Sequence, residues 1–299
     1  MGKVYMRNEM VAYMFMLEAL EYPLIFFTND DLVEKWLEIN LAPYLIKLDK
    51  QGNDKDYYVY IYNNQQGLFD VLTPDFNLLI NLDKIEEFLQ KLINCKCVLK
   101  ENYYFLHCAL VEKCEKNIIL IGASGSGKST LTAFLHCNNF SCISDDKLIV
   151  NTKNGKIYPF IRNVQLRNGS LNILRTYGIK NVKYNQVKLY TYDREELIIQ
   201  NRNYKQKINI GIQLDLRTDF DGCIIEKLDF FSTFQLILFN GYISNDIKQK
   251  IKPSIEIAKM ISCYKMTYND LKIACNELEN LVNEWMLFDF EYYNVLSVC

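Results

Sequence analysis

The sequence has few of the residues that build metal centres and disulfide frameworks. It contains only 2 histidines, and its 10 cysteines are scattered without a Cys-x-x-Cys pair. A zinc site of the usual spacing therefore has almost no ligands to draw on. Scattered thiols are typical of small buried apolar side chains in a reducing compartment, so we expect a cytoplasmic protein.

An excess of one charge sign and long apolar runs are also missing. Lys and Arg number 34 against 36 Asp and Glu, for a net charge of -2, whereas binding along a nucleic acid requires a basic excess. The most apolar stretch, Val11 to Phe27, is interrupted by Glu18 and Glu21, so it does not fit a bilayer span. The composition predicts a soluble protein that binds neither nucleic acid nor membrane.

Glycine and proline are scarce, and the order of the elements between them predicts two domains. Residues 1–100 carry strand-like runs, such as Tyr57 to Tyr62, and a helical repeat from about Lys84. They predict a small N-terminal α+β domain with an accessory or recognition role. Over residues 101–299 the order strand, glycine loop, helix, strand is typical of an α/β nucleotide-binding core.

Two helices near the end of the chain are expected to cover the sheet. Pro253 suits the first turn of one helix. Thr267 and Asp270 have the spacing of a capping box at the start of the other.

The clearest motif fits G-x-x-x-x-G-K-[ST] at every position. It reads Gly122, Ala123, Ser124, Gly125, Ser126, Gly127, Lys128, Ser129, Thr130. Such glycines let backbone N–H groups surround a phosphate, and the helix that follows directs its positive end to the same place. We expect Lys128 to reach the β- and γ-phosphates of ATP and Ser129 to ligate Mg²⁺. The alternative is a glycine-rich turn that contains Lys-Ser by chance.

Two adjacent carboxylates, Asp145 and Asp146, follow the strand-like segment FSCIS. At the carboxyl end of a strand beside a phosphate loop, they suit a proton acceptor and a metal ligand, although Asp is also a common turn residue. The signature segment and the late Asp-Glu strand of transport ATPases are absent from the sequence, which argues against that class.

These motifs together resemble the kinase domain of the HPr kinase/phosphorylase family, and more closely its smaller relatives that occur with peptide-modifying clusters. The resemblance covers residues 103–175. Its matching segments are His107-Cys108-Ala109, Gly122 to Ser129, Ser144-Asp145-Asp146, Pro159 to Arg162 and Leu166 to Gly169.

The resemblance implies an α/β fold with a P-loop kinase core of the HPr kinase/PEP carboxykinase-like type. It implies that Asp145 takes the proton of the acceptor hydroxyl and that Asp146 helps to hold Mg²⁺. The implied acceptor is a serine of a peptide or small protein, such as a lasso peptide precursor. Because the family has hexameric members, it also suggests a homo-oligomer.

Three further side chains are candidates for the site. A hairpin turn at residues 113–116 would place His107 opposite Gly122, where it would act on phosphate or on Asp145, unless it is structural. Arg162 and Arg167 suit a clamp on phosphate or on an acidic substrate, or else ordinary surface ion pairs.

One position departs from the family pattern. Gln165 stands where phosphorylase members carry Glu, and an amide does not supply the negative charge, so a second metal position and reverse phosphorolysis are both in question.

The basic, tyrosine-rich segment from Lys180 to Lys207 predicts either a lid that grips a peptide or a solvated face. Taken together, the sequence predicts an ATP-dependent kinase that acts on a hydroxyl. A small-molecule hydroxyl kinase and a non-catalytic ATP-binding regulatory module remain as alternatives.

Overall fold

The computed structural model describes residues 10–16, 18–41, 44–48, 56–64, 68–97, 99–145, 147–159, 164–179, 195–197, 207–241 and 247–296. They form a mixed α/β protein of two compact units, which divide between Glu101 and Asn102. None of the helices in these ranges combines the length and the apolar composition needed to cross a membrane.

The first unit is a six-stranded sheet with two helices. The strands are β1 (Val11–Phe15), β2 (Leu24–Thr28), β3 (Leu45–Leu48), β4 (Tyr57–Asn63), β5 (Leu68–Leu72) and β6 (Asn77–Asn81). The helices are α1 (Asp31–Leu41) and α2 (Ile85–Lys96). The strand order is β3-β1-β2-β4-β5-β6, in which β2 and β4 run parallel and the other neighbours run antiparallel.

Strand β4 shows why its sequence forms a strand. Val59 and Ile61 are fully buried, whereas Tyr58, Tyr60 and Tyr62 alternate with them and are partly exposed. The three tyrosine rings stack along one face, with centroids 6.5 and 6.3 Å apart. This period of two matches the predicted strand. The first unit contains none of the predicted site residues.

The second unit carries the predicted site. Its first strands are β7 (Tyr103–His107), β8 (Ala109–Lys113), β9 (Lys116–Ile121), β10 (Ser141–Ser144), β11 (Lys147–Asn151) and β12 (Ile157–Pro159). The later strands are β13 (Val164–Leu166), β14 (Glu195–Leu197), β15 (Ile210–Leu216), β16 (Cys223–Lys227) and β17 (Ser262–Tyr268). Its helices are α3 (Lys128–Cys137), α4 (Asn168–Thr176), α5 (Phe230–Phe239), α6 (Ile247–Met260) and α7 (Leu271–Leu296).

The main sheet of this unit has the order β10-β8-β9-β15-β17-β16. Strands β9, β15 and β17 are parallel, and β10 shares their direction because β8 is antiparallel to both β9 and β10. The carboxyl ends of four strands therefore lie along one edge, where α/β proteins usually bind ligands. Strands β12, β11 and β7 form a second sheet, and β13 pairs with β14.

Both faces of the central part of the main sheet are buried, whereas the edge strand β16 is largely exposed. Helices α3, α4 and α7 cover one face through residues such as Leu131, Leu171 and Leu278. Residues from α5, α6 and the three-stranded sheet, such as Ile237, Ile257 and Leu148, pack against the other face. Short apolar strands such as β9 are expected in a sheet that is covered on both sides.

The hairpin between β8 and β9 turns at Cys114 and Glu115. Both residues have left-handed φ angles, 50° and 62°, and they are not glycines. Lys113 pairs with Lys116 across this two-residue turn, as predicted. Paired left-handed residues match the right-handed twist of the flanking strands, which explains the conformation.

The predicted beginnings of the two late helices are wrong. Helix α6 starts at Ile247, so Pro253 lies inside the helix. A proline in a helix interior costs about 3 kcal/mol of helix stability, and burial of Ile257 and Ala258 helps to offset that cost. Thr267 belongs to strand β17. Asp270 is the cap instead, because its Oδ1 accepts a hydrogen bond from the Ile273 amide at 2.8 Å.

Candidate functional site

The glycine loop, Gly122–Ser129, joins strand β9 to helix α3. A Cβ added at Gly122 would lie 2.5 Å from Ser126 Oγ, so the loop closes only around a residue without a side chain. Gly127 has a φ of 85°, which L side chains rarely adopt. Ser126 Oγ is buried without a hydrogen-bond partner among the described residues. These features define a tight cradle with a spare polar atom, which fits a phosphate group.

Lys128 lies in the cradle. Its side chain is buried, and Nζ donates hydrogen bonds to the carbonyl oxygens of Gly122 at 2.5 Å and Ala123 at 3.4 Å. A buried ammonium is stable only with such partners. The ammonium group of Lys128 is therefore held inside the loop, where it would contact a bound anion.

The start of α3 adds positive potential. Its N-cap is Gly127, which has no side chain to accept a hydrogen bond from the first-turn amides, and the first turn contains no acidic residue. Those amides are therefore left for another acceptor. Ser129 is partly exposed in this turn, while Thr130 Oγ1 lies 2.8 Å from Ser170 Oγ on α4. Of the other loop residues, Ser124 and Gly125 are exposed.

Two residues that the sequence did not reveal support the loop from the neighbouring strands. The Tyr268 hydroxyl, at the end of β17, donates to the Ser126 carbonyl at 3.3 Å. A Cβ added at Gly127 would lie 2.8 Å from that hydroxyl and 3.6 Å from Leu216 Cδ2. No local signal could have identified these contacts, because Tyr268 and Ser126 are 142 positions apart.

Asp145 directly follows β10 at the same edge of the sheet. It is buried, with 9% of its surface exposed. Its charge adds to the effect of burial in raising the pKa of the neighbouring Cys142 thiol. Strands β10 and β9 are two positions apart, so the carboxylate lies roughly 10 Å across the edge from the end of β9. Asp146 lies outside the described residues.

His107 is not where the hairpin register would place it. Residues 109–113 pair with 116–120 as predicted, with Ala109 opposite Leu120. The pairing then stops at Cys108, and His107 belongs to β7, where it pairs with Lys147 of β11. Its amide donates to the Asn240 carbonyl at 2.8 Å. The expected position opposite Gly122 is therefore wrong, because β7 joins a different sheet. A catalytic role for His107 stays a prediction.

The remaining candidates are only partly described. Arg167 is exposed and forms the N-cap position of α4 in an extended conformation. Arg162 lies outside the described residues, as do the side chain of Gln165 and the segment from Lys180 to Lys207 apart from β14 and Lys207. His136, on α3, accepts a hydrogen bond from the Cys142 amide at 3.4 Å.

The predicted magnesium ligands are Ser129 and Asp146, of which the structure describes Ser129, in the first turn of α3. A hydroxyl of this kind fits Mg²⁺ when substrate phosphates supply further oxygen ligands. Over the described ranges, no cluster of three His, Cys, Asp or Glu side chains could hold a metal by itself. The residues therefore suit a metal that binds together with a phosphate ligand.

Comparisons with known proteins do not show which family this chain belongs to. No protein-family model and no curated protein matches the chain. Among solved structures, the Hpr(Ser) kinase/phosphatase of Coxiella burnetii matches with a TM-score of 0.31 and 13% identity, over 61% of this chain and 96% of that chain. A likeness at this TM-score establishes neither a shared fold nor a shared activity.

Proposed function

We propose that this protein is an ATP-dependent phosphotransferase with a P-loop kinase core, which transfers the γ-phosphoryl group to a hydroxyl. One observation carries the proposal: a glycine loop that holds a buried lysine lies at the same sheet edge as a buried carboxylate, Asp145. Phosphoryl transfer requires mainly positioning and neutralisation of charge, which a lysine, a helix N-terminus, a metal and one base supply.

Each residue has a defined task in the proposed reaction. The loop and the first turn of α3 bind the phosphates, and Lys128 exchanges its carbonyl partners for phosphate oxygens. The acceptor oxygen attacks the γ-phosphorus, the bond to the β–γ bridging oxygen breaks, and ADP leaves. Asp145 accepts the hydroxyl proton. Magnesium, when bound through Ser129 and Asp146, would supply positive charge to the phosphate oxygens.

The acceptor class rests on the resemblance described for the sequence. It favours a serine of a peptide or small protein, such as a lasso peptide precursor, as the acceptor. The scattered cysteines favour a reducing cytoplasm as the compartment of the enzyme. Arg162 and Arg167 are proposed to contact the transferred phosphate or an acidic part of that substrate. A homo-oligomer is proposed on the same basis.

The test is transfer of label from γ-labelled ATP with Mg²⁺ into an extract of the source cells. The wild-type protein is compared with Asp145→Asn, which removes the base, and with Asp83→Asn, an exposed control in the first unit. We expect label on a peptide serine that is lost in Asp145→Asn and retained in the control.

Other outcomes separate the alternatives. Label on a small metabolite would replace the peptide substrate by a small molecule. Tight ATP binding without any label would favour a regulatory module, and full transfer by Asp145→Asn would remove Asp145 from the role of base.

A further inference from the structure

Strand β16 (Cys223–Lys227) is an exposed edge of the main sheet. It pairs with β17 on one side, and no other described strand pairs with it. Every residue of the strand is at least partly exposed, and Ile224 is 50% exposed. At the other edge of the sheet, by contrast, Cys142, Ile143 and Ser144 of β10 are buried. An exposed edge strand presents backbone groups to which another strand can bind.

The register with β17 shows which backbone groups of β16 face the open side. The Leu228 amide donates to the Cys263 carbonyl at 2.8 Å, just beyond one end of the strand. At the other end, the Asn269 amide donates to the Gly222 carbonyl at 3.3 Å. Hydrogen-bonded positions alternate along an antiparallel pair, so the even-numbered residues from 222 to 228 bond to β17.

The odd-numbered residues direct their N–H and C=O groups to the open side. These residues are Cys223, Ile225 and Lys227. Their side chains share the face that α7 covers, where Cys223 and Ile225 pack against the core and Lys227 is exposed. A second strand can therefore bind to them without displacing a hydrogen bond to β17.

Charges of opposite sign lie at the two ends of this edge. Lys227 is the last residue of the strand and is exposed. Glu277 of α7 lies close to Cys223 at the other end, because its charge adds to the effect of burial in raising the pKa of that thiol to about 11. A strand that runs in the opposite direction presents the same two charges in reverse order, so each charge meets its opposite.

The edge is therefore complementary to itself about Ile225. When two copies of β16 run antiparallel with Ile225 opposite Ile225, Cys223 of each copy lies opposite Lys227 of the other. Because the backbone groups of these residues face outwards, each pair exchanges two backbone hydrogen bonds. Lys227 then lies beside the partner's Glu277, and the two Ile225 side chains contact each other.

Strand length and charge select this register over its neighbours. A shift towards the carboxyl end would place Glu226 or Lys227 opposite the same residue of the partner, where like charges destabilise the pair. A shift towards the amino end would move Lys227 beyond the partner's β16, because Gly222 has a φ of 100° and leaves the extended conformation.

We propose that β16 forms an interface with a second copy of this chain, which joins two main sheets across a two-fold axis at Ile225. Such an interface is closed, because both copies use the same surface. It is more specific than the homo-oligomer proposed above, and it does not depend on phosphoryl transfer.

Sedimentation velocity of the full chain measures the association. Lys227→Glu places a carboxylate beside the partner's Glu277, and Glu277→Lys places two ammonium groups together. The double variant exchanges the two charges and restores both pairs. Lys252→Glu, at an exposed lysine of α6, is the matched control.

We expect the wild-type protein to be a dimer at about 100 µM. Each single charge variant should raise the dissociation constant roughly tenfold or more at an ionic strength of about 0.05 M, because the repulsion acts at two symmetric positions. The double variant should return to within about threefold of the wild-type constant. Lys252→Glu should leave the constant unchanged.

Two variants at Lys227 test the strand pairing separately from the charge. Lys227→Ala removes the charge, whereas Lys227→Pro also removes an N–H that points to the open side. Proline is tolerated at such an edge position, so the pairing with β17 should be preserved. Lys227→Pro should therefore weaken the dimer more than Lys227→Ala, while both keep the circular dichroism spectrum of the wild-type protein. The charge exchange remains decisive if Lys227→Pro does not fold.

Three results would overturn this interface. A monomer at about 100 µM would do so and would leave the proposed kinase unaffected. An oligomer that neither charge variant weakens would also do so, because another surface would then hold the copies together. Weakening by both single variants without recovery in the double variant would reject the pairing of Lys227 with Glu277. The proposed function is tested separately by ATP binding, which none of these variants should change.

Discussion

The ammonium group of Lys128 donates a hydrogen bond to the carbonyl oxygen of Gly122 at 2.5 Å, so the lysine closes the loop to which it belongs. Lys128→Met retains most of the side-chain length and removes the charge. We expect ATP to bind roughly 10- to 100-fold more weakly, because hydrogen bonds to charged groups contribute about 1.5–3 kcal/mol. Calorimetry measures the loss, and Lys259→Met, at an exposed lysine, is the control. Unchanged ATP affinity in Lys128→Met would place the phosphates elsewhere.

Gly127→Ala should harm both stability and ATP binding. The left-handed φ costs an L residue about 1–2 kcal/mol, and the new Cβ would meet the Tyr268 hydroxyl at 2.8 Å. The double variant with Tyr268→Phe should recover only the contact part of the loss. Urea unfolding measures these differences.

We expect the opposite effect on the free energy of unfolding at a second glycine, Gly169. Gly169 lies in helix α4 with open space around its Cβ position, so Gly169→Ala should stabilise the protein by about 0.5–1 kcal/mol. Equal effects of the two alanines would contradict the conformation described for the loop.

Asp270 should stabilise helix α7 more through the hydrogen bond that its side-chain oxygen accepts than through its charge. Burial alone would raise its pKa, but hydrogen bonds from the Ile273 amide and the Tyr177 hydroxyl lower it. Asp270→Ala removes the cap of α7 and should lower the free energy of unfolding by about 1 kcal/mol, whereas Asp270→Asn should cost less. Thermal unfolding of both variants tests this, and Thr267→Val should leave the capping unaffected.

His136 should make stability depend on pH. Burial lowers its pKa below the ordinary value of 6.5, so the unfolded chain binds the proton more readily than the folded protein. Its contribution is therefore complete above pH 6.5 and is lost as the pH falls through that value towards the lower folded pKa.

The substitution His136→Asn tests this dependence. An amide oxygen can still accept from the Cys142 amide but does not titrate, so the fall in urea midpoint between pH ~7.5 and ~5.5 should become smaller. His107→Asn serves as the control at the other histidine. If the urea midpoint fell with pH as steeply in His136→Asn as in the wild-type protein, another group would be responsible for the pH dependence.

Local patterns in the sequence predicted the local parts of the fold. The register of β8 and β9 followed from the position of the turn at Cys114 and Glu115, because a short hairpin fixes its own pairing. Extending that register to His107 gave a wrong position, because β7 pairs with β11. The His107 amide contacts Asn240, a residue far along the chain. Periodicity carries no information on such partners.

The candidate site likewise has a part that the sequence predicted and a part that it did not. The glycine loop could be predicted because all its residues are consecutive. The support from Tyr268 and the hydrogen bond between Thr130 and Ser170 could not, because each joins segments that only the strand order brings together.

The strand order also determines when the site can form during synthesis. Strand β17 lies between β15 and β16, both of which precede it in the chain, and it provides the pairing of β16 in the main sheet. A nascent chain that has reached α5 holds β9, the glycine loop and β15, but it lacks Tyr268 beside Gly127. The glycine loop therefore gains its contact with Tyr268 only after residues 262–268 have been synthesised and have paired with β15.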